Sequence, residues 1–161
     1  MARGNEIIVS PEAKGRFCEG KIGAGLTPKP GTLMQIDYSV ALVGGRHTWI
    51  LYAGDADGGR PKSEVIVLLA DNLQGRLATT AYAAAERAFG YVPQPGDELN
   101  LLIANVSGTA TIAAGTVLIA DTGTGKMIAT TGSPETEMAV LQEAIVDNAD
   151  DQLGWCVWTG Y

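Results

Sequence analysis

The chain has 161 residues, which is enough for one domain with an additional arm. Hydrophobic residues make up 46% and charged residues 18%, a composition typical of a globular protein and not of a disordered one. The formal net charge of −7 argues against a general nucleic-acid binder, because phosphate contacts need a basic face. No apolar run approaches the roughly 20 residues that span a bilayer, so we expect no membrane partner either.

Residues 1–25 are predicted to form an extended N-terminal arm. Ile7, Ile8 and Val9 make a short apolar patch, and a basic stretch punctuated by glycine follows it. A long irregular segment cannot satisfy its own backbone polar groups, so it lies either on its own domain or on a partner. The apolar patch is the best candidate for a strand that adds to an exposed sheet edge. Arg16 and Phe17 are the further candidate contacts of this arm.

Residues 26–161 are predicted to form a single β domain. Glycine accounts for 21 residues and proline for 7, which favours many short strands over long helices. Strands are predicted over residues 32–38, 48–52, 65–69, 99–106, 116–120, 126–130 and 153–159. The turn Asp121–Gly125 between two of these runs is the clearest hairpin signal in the chain.

Two segments allow either a helix or strands. Residues 78–89 are rich in alanine, which intrinsic propensity assigns to a helix, yet they also suit two strands around a tight bend. Residues 134–145 follow Ser133, a good helix cap, but Met138–Ile145 can equally form a strand. Since the neighbouring elements are strands, we favour strands for both.

Two apparent binding motifs are incomplete. The run Thr122–Lys126 resembles part of a phosphate-binding loop, but that motif needs glycine at position 120 and serine or threonine at 127. Ala120 and Met127 stand there, so a hairpin turn is the better interpretation. The run Asp55–Gly59 begins like a calcium loop, but Ile66 stands where the bidentate glutamate is needed.

No constellation of reactive side chains indicates an enzyme. His47 is the only histidine, and a nucleophile motif such as Gly-x-Ser-x-Gly is missing from the sequence. We therefore expect no catalytic residues, no cofactor and no metal. Cys18 and Cys156 form neither a disulfide framework nor a zinc pattern, and a single bridge between them stays open.

The C-terminal aromatic residues are candidates for packing and for contact. Adjacent residues of a strand face opposite sides, so Trp155 and Val157 are predicted to lie in the core and Trp158 on the other face. Trp158 and Tyr161 are then the candidate subunit interface, because aromatic residues bury a large area where proteins touch.

Several phrases of the sequence resemble phage head decoration proteins, also called capsid cement proteins, a family that includes the lambda head decoration protein. The resemblance lies in Leu26–Ile36, in Val67–Asp71, in Ala81-Tyr82, and in Glu86-Arg87 with the Tyr91–Pro93 that follows; the hairpin Ala114–Lys126 fits the same group. It implies a mostly β fold, a small β-barrel or β-tulip-like domain with an extended N-terminal arm. It also implies a structural protein that forms a homotrimer at three-fold positions of the capsid.

Partners and location follow from this resemblance. The chain would bind the major capsid protein and other copies of itself, on the outer capsid surface of the virion, after synthesis in the host bacterial cytoplasm. Ile7, Ile8, Val9, Arg16 and Phe17 would then contact the shell. An alternative is a glycan- or receptor-binding β module of a virion or tail, in which Trp49, Tyr52 and Trp158 stack on sugars.

Overall fold

Strands are the only regular elements in the part of the chain that the computed structural model describes, which is residues 6–9, 12–53, 64–71, 77–104, 111–121, 123–130, 137–146 and 150–160. The ten strands, in chain order, are β1 Arg16–Ile22, β2 Leu33–Ile36, β3 Thr48–Leu51, β4 Ile66–Leu68, β5 Arg87–Val92, β6 Glu98–Ile103, β7 Val117–Ala120, β8 Met127–Ala129, β9 Ala139–Leu141 and β10 Gln152–Trp158. The predicted mostly β fold is therefore confirmed.

The strands close into two five-stranded barrels. The first has the strand order β1-β3-β2-β4-β5 and the second the order β10-β6-β8-β7-β9. Most neighbouring strands run antiparallel, but β1 is parallel to β3 and β6 is parallel to β8. Closure pairs the edges that an open sheet would expose to other chains. The small-barrel architecture holds, with two barrels where one was expected.

The predicted hairpin is present as β7 and β8, which pair antiparallel with Ala120 opposite Met127. In its turn the Thr124 hydroxyl donates to Asp121 Oδ2 at 2.7 Å, and the Asp121 N–H donates to the Lys126 carbonyl at 2.8 Å. These bonds close the connection between the two paired strands, so the hairpin interpretation is right.

Each of the two ambiguous segments contains one strand in its described residues, and most of the other described residues are turns and irregular backbone. Arg87–Val92 forms β5 and Ala139–Leu141 forms β9, whereas residues 77–86 form turns and irregular backbone. Ala85 has a positive φ of 63° and its N–H donates to the Ile22 carbonyl, a conformation that excludes both a helix and a strand at this point. Tyr82 anchors this stretch, because its ring is buried and its hydroxyl donates to the Leu69 carbonyl at 2.8 Å.

Residues 16–22 belong to the first barrel and not to a free arm. Strand β1 pairs with β5 from Arg16 opposite Val92 to Lys21 opposite Arg87. Cys18, Gly20 and Ile22 alternate toward the interior, a period of two that the glycines and charges of this stretch obscure in the sequence.

Residues 6–9 lie on the second barrel. Ile8 forms an antiparallel bridge with Leu99 of β6, and the Asn100 N–H donates to the Ile7 carbonyl at 2.7 Å. Ile7 is buried in the core of that barrel. Of the two possibilities for the arm, its described part takes the first and lies on its own chain.

The two barrels share a core. Leu33, Val67 and Tyr91 lie on the outer side of the first barrel and pack in the same hydrophobic cluster as the interior of the second. Backbone bonds join the barrels at the same place: Leu33 N–H donates to the Gly125 carbonyl at 2.6 Å and Leu102 N–H donates to the Gly31 carbonyl at 3.0 Å.

A buried carboxylate reinforces this junction. Asp97 is 1% exposed and accepts hydrogen bonds from the backbone N–H groups of Lys14, Gly15 and Gln94 and from the Tyr91 hydroxyl, at 2.7–3.2 Å. Burial opposes ionisation of Asp97, but the four hydrogen bonds outweigh it and hold its pKa below the ordinary value. Burial, and then the hydrogen bond to Asp97, raises the pKa of Tyr91 to about 12, so the phenol stays a donor.

Candidate interaction surface

The largest group of exposed apolar side chains in the described part of the chain lies on the first barrel. Among the described residues seven large hydrophobic side chains are exposed, and four of them lie in the connection between β2 and β3. Those four are Tyr38, Val40, Leu42 and Val43, and the others are Phe17, Leu77 and Val146. We name residues 38–46 the apolar hairpin. Contiguous exposed apolar groups of this kind are typical of contact sites.

The tip of the apolar hairpin is a two-residue turn. Gly44 and Gly45 have φ values of 61° and 77°, a backbone conformation that residues with a Cβ rarely adopt. Val43 N–H donates to the Arg46 carbonyl at 3.0 Å, and Arg46 N–H donates to the Val43 carbonyl at 3.2 Å. Positive φ at both central residues defines a type I′ turn, whose twist matches that of paired strands.

Polar contacts order the base of the apolar hairpin. Asp37 N–H donates to the Thr48 carbonyl at 2.9 Å, and Asp37 Oδ1 accepts from both the N–H and the hydroxyl of Ser39. The rings of Tyr38 and His47 meet edge to face, with centroids 5.9 Å apart. The glycine turn and these hydrogen bonds therefore hold the backbone of the apolar hairpin in place.

A charged rim borders the apolar hairpin on the outer face of β1. Glu19 pairs with Arg46, and with Arg87 at 2.7 Å. The hydrogen bond from Arg87, followed by that from Arg46, lowers the pKa of Glu19 and keeps it ionised. The Arg87 guanidinium also lies over the ring of Phe89, 4.9 Å from its centroid. The rim therefore fixes Arg46, the last residue of the hairpin, to the barrel wall.

The predicted contact residues of the arm are placed differently from one another. Phe17 is 71% exposed. Its ring and the ring of Tyr91 meet edge to face, with 5.4 Å between their centroids. Arg16 is exposed and pairs with Glu64. Ile8 and Val9 are half-buried, and Ile7 is buried within its own chain. Their contact with a shell stays a prediction, which the exposed pair Arg16 and Phe17 suits best.

The predicted assignment of the C-terminal strand is reversed. Cys156 and Trp158 face the core, where Trp158 is 3% exposed, whereas Trp155 and Val157 are half-buried on the outer face. Strand β10 alternates as expected, but its register against β6 and β9 sets the phase. Trp158 thus serves the core of its own chain, and Tyr161 lies outside the described residues.

The aromatic residues proposed to stack on sugars are not at the surface. Trp49, Tyr52 and Trp158 are 1%, 3% and 3% exposed. Stacking needs an accessible ring face, so the structure removes the residue basis of the glycan-binding alternative.

The other candidate features carry little chemistry. Within the described ranges, no three histidine, cysteine or acidic side chains stand close enough to hold a metal ion, and the run Asp55–Gly59 lies outside those ranges. A cleft of about 400 Å³ lies between the barrels, and its lining residues Lys126 and Asp151 pair with each other at 2.7 Å. In these same ranges the chain forms no helix long and apolar enough to cross a bilayer.

Both cysteines are free thiols in separate barrels. Burial raises the pKa of Cys18 to about 11 and that of Cys156 to about 12, so neither is a reactive nucleophile. The bridge that the sequence left open is not formed.

The apolar hairpin is not among the contact surfaces predicted from the sequence. A usable signal was present. Tyr38–Gly45 is an uncharged run that contains four large hydrophobic residues and ends in a turn of two glycines. Such a run between two strands has no barrel position available to bury its side chains.

Comparison with known proteins adds a relationship of fold. No protein-family model matches the sequence, and no curated protein matches it. Among solved structures, the chain is similar to the N base of head fiber gp8.5 in bacteriophage phi29, with a TM-score of 0.52 and 12% sequence identity. The match covers 89% of this chain and 95% of that one. The similarity therefore extends over both barrels and their junction.

Proposed function

We propose that this chain is a capsid decoration protein that binds the outside of an expanded phage head as a homotrimer and stabilises it. The observation that supports this role is the likeness in fold, over nearly all of both chains, to the base of a phage head fiber. At 12% identity that likeness establishes the fold, and the attachment to a head is the inferred step.

The architecture suits a structural role without catalysis. A cement protein needs a rigid body and a contact surface, and needs no reactive site. Two closed barrels with a common core supply the rigid body. The exposed apolar groups of the first barrel supply the surface.

Stabilisation would follow from mass action. A protein that binds the expanded shell, but not its precursor, stabilises the expanded form by RT ln(1 + [L]/Kd) at each site. That is about 2.7 kcal/mol per site when the free protein is at about 100 Kd. Summed over the many equivalent sites of a capsid, this gain opposes rupture by packaged DNA.

The exposed start of β1 is the best shell contact among the predicted residues. Arg16 and Phe17 are consecutive in the sequence and both are exposed, and arginine and aromatic residues are enriched at protein interfaces. The major capsid protein would bind this part of the first barrel, and Ile8 and Val9, which lie on the second barrel, would add further contacts.

Co-sedimentation with heads tests the proposal. Purified chain is mixed with expanded and unexpanded heads of its phage, and the bound fraction is measured against protein concentration. We expect binding to expanded heads alone, and a loss of affinity of about tenfold or more in Phe17→Ser. Leu77→Ser, at a comparably exposed site, is the matched control and should bind as the parent does. Absence of binding to expanded heads would refute the proposal.

A further inference from the structure

We infer that the apolar hairpin is the surface through which copies of this chain contact one another around their symmetry axis. The inference rests on the proposed homotrimer and assigns it a contact surface. The C-terminal residues expected to serve that purpose do not supply one in the described chain, because Trp158 is buried. The occupant assigned to the hairpin surface is a second copy of the same chain, on the ground of the charge distribution given below.

Order is the first argument for a contact role. The Gly44-Gly45 turn, the Asp37 contacts and the Glu19–Arg46 pair all fix the hairpin backbone. Tyr38 is nevertheless 64% exposed and Leu42 is 57% exposed. A preorganised apolar surface loses little conformational entropy on binding, so more of the energy of apolar burial appears as affinity.

Charge decides which face of the molecule can meet its own copy. Residues 93–161 contain nine acidic residues and a single lysine, whereas residues 1–92 contain nine acidic residues and ten lysine or arginine residues. Rotational symmetry brings equivalent groups close together near the axis, where like charges repel. Residues 93–161, which include the second barrel and carry an excess of eight negative charges, are therefore disfavoured at the axis.

The apolar hairpin lacks the charges that would repel between copies near the axis. Its residues from Tyr38 to Gly45 carry no charge, so three copies can approach without electrostatic repulsion. The charged residues that flank this run are Asp37, which accepts from Ser39, and Arg46, which pairs with Glu19. An apolar centre depleted of charge, with a polar rim around it, is the usual anatomy of a protein interface.

Substitution of Leu42 tests the inference. Leu42→Glu in the full chain places a carboxylate at the centre of the proposed contact, where its burial without a partner is unfavourable. We expect sedimentation velocity to show a trimer for the parent, and for Leu42→Glu an association weakened by about 100-fold or more. Val40→Glu should act in the same direction.

Two matched controls separate this contact from a general effect of charge. Leu77→Glu and Val146→Glu introduce the same group at exposed hydrophobic positions outside the hairpin, 52% and 69% exposed. Both should remain trimeric. Thermal unfolding of all four variants should show intact barrels, because each position is exposed.

The outcomes distinguish this inference from the proposed function. If Leu42→Glu remains trimeric, the inference is overturned. If that trimeric variant also no longer binds heads, the hairpin contacts the shell and not a second copy. A parent chain that is monomeric also overturns it, while binding of that monomer to expanded heads would leave the head attachment standing. A parent trimer that Leu42→Glu dissociates, but that ignores expanded heads, would support the hairpin contact and refute the decoration role.

Discussion

The interior of the first barrel depends on two glycines that make room for one tryptophan. Trp49 of β3 is 1% exposed, and its ring lies against Gly20 of β1 and Gly90 of β5. A Cβ at Gly20 would lie 2.5 Å from Trp49 Cδ2 and still closer to two further ring atoms. The substitution Gly20→Ala should therefore destabilise the barrel by overpacking.

The expected cost follows from the size of this clash. Carbon atoms pack best at about 3.5–4.0 Å, so the new methyl group and the indole must separate by about 1 Å or more. Overpacking of a filled core costs about 1–3 kcal/mol, and we expect about 3 kcal/mol because the indole is enclosed on both sides. For a chain of this length, that corresponds to a fall in Tm of about 6–12 °C.

A double-mutant cycle identifies the cause. Urea unfolding is measured for the parent, Gly20→Ala, Trp49→Leu and the double variant. The smaller Leu side chain leaves space for the methyl group, so Gly20→Ala should cost little in the Trp49→Leu background, giving a coupling of about 2 kcal/mol or more. The control is Gly115→Ala in the second barrel, where φ is +82° and no atom lies within 4 Å of a new Cβ. Its cost comes from the backbone, about 1–2 kcal/mol, and should be the same in both backgrounds. An equal cost of Gly20→Ala with Trp and with Leu at position 49 would falsify the steric account.

Three further predictions follow from buried groups. Asp97→Asn should lower the free energy of unfolding by about 2–3 kcal/mol, because four donors lose a charged acceptor. The depressed pKa of Asp97 means that its contribution is present above about pH 4 and is lost as the pH falls through the folded-state pKa. The parent should thus lose more stability between about pH 5 and pH 3 than the Asn variant does, and parallel urea titrations would contradict this. Deletion of residues 1–9 should cost about 3 kcal/mol, since it removes the buried Ile7 and its bonds to β6, and an unchanged urea midpoint would count against this packing. Cys18 and Cys156 should react with a disulfide reagent at about pH 8 at least about 100-fold more slowly than a free thiol, and rapid modification of the native chain would show the burial to be incorrect.

Strand content was predictable because apolar runs between turn residues specify it locally. Each of the seven predicted runs contains a strand, and two of them form the β7–β8 hairpin. Strand β1 was missed because its inward positions are Cys18, Gly20 and Ile22, and a glycine there reads as a break. Gly20 is needed because the ring of Trp49 of β3 packs against it, and closure of the barrel brings these two residues together.

The phase of β10 could not be predicted for a related reason. Both faces of Leu153–Trp158 carry large apolar groups, so alternation alone does not say which face is inside. Pairing of Cys156 with Leu99 and Leu141 decides it, and those partners lie far away in the sequence. Trp158 was assigned to a subunit interface because the inward face of β10 was predicted wrongly. Phe17, near the start of β1, is exposed as a contact residue must be.

The junction between the barrels transmits force from the apolar hairpin on the first barrel to the second barrel. A contact made at the hairpin acts on β2 and β3, and β2 carries Leu33 into the core shared with the second barrel. Tyr91 of β5 joins the same core and donates to Asp97, just before β6. Force applied at either barrel must therefore break buried apolar and hydrogen-bonded contacts before the barrels can move apart. A trimer joined through its first barrels would keep its second barrels at fixed positions around the axis, as a protein that reinforces a shell under internal pressure requires.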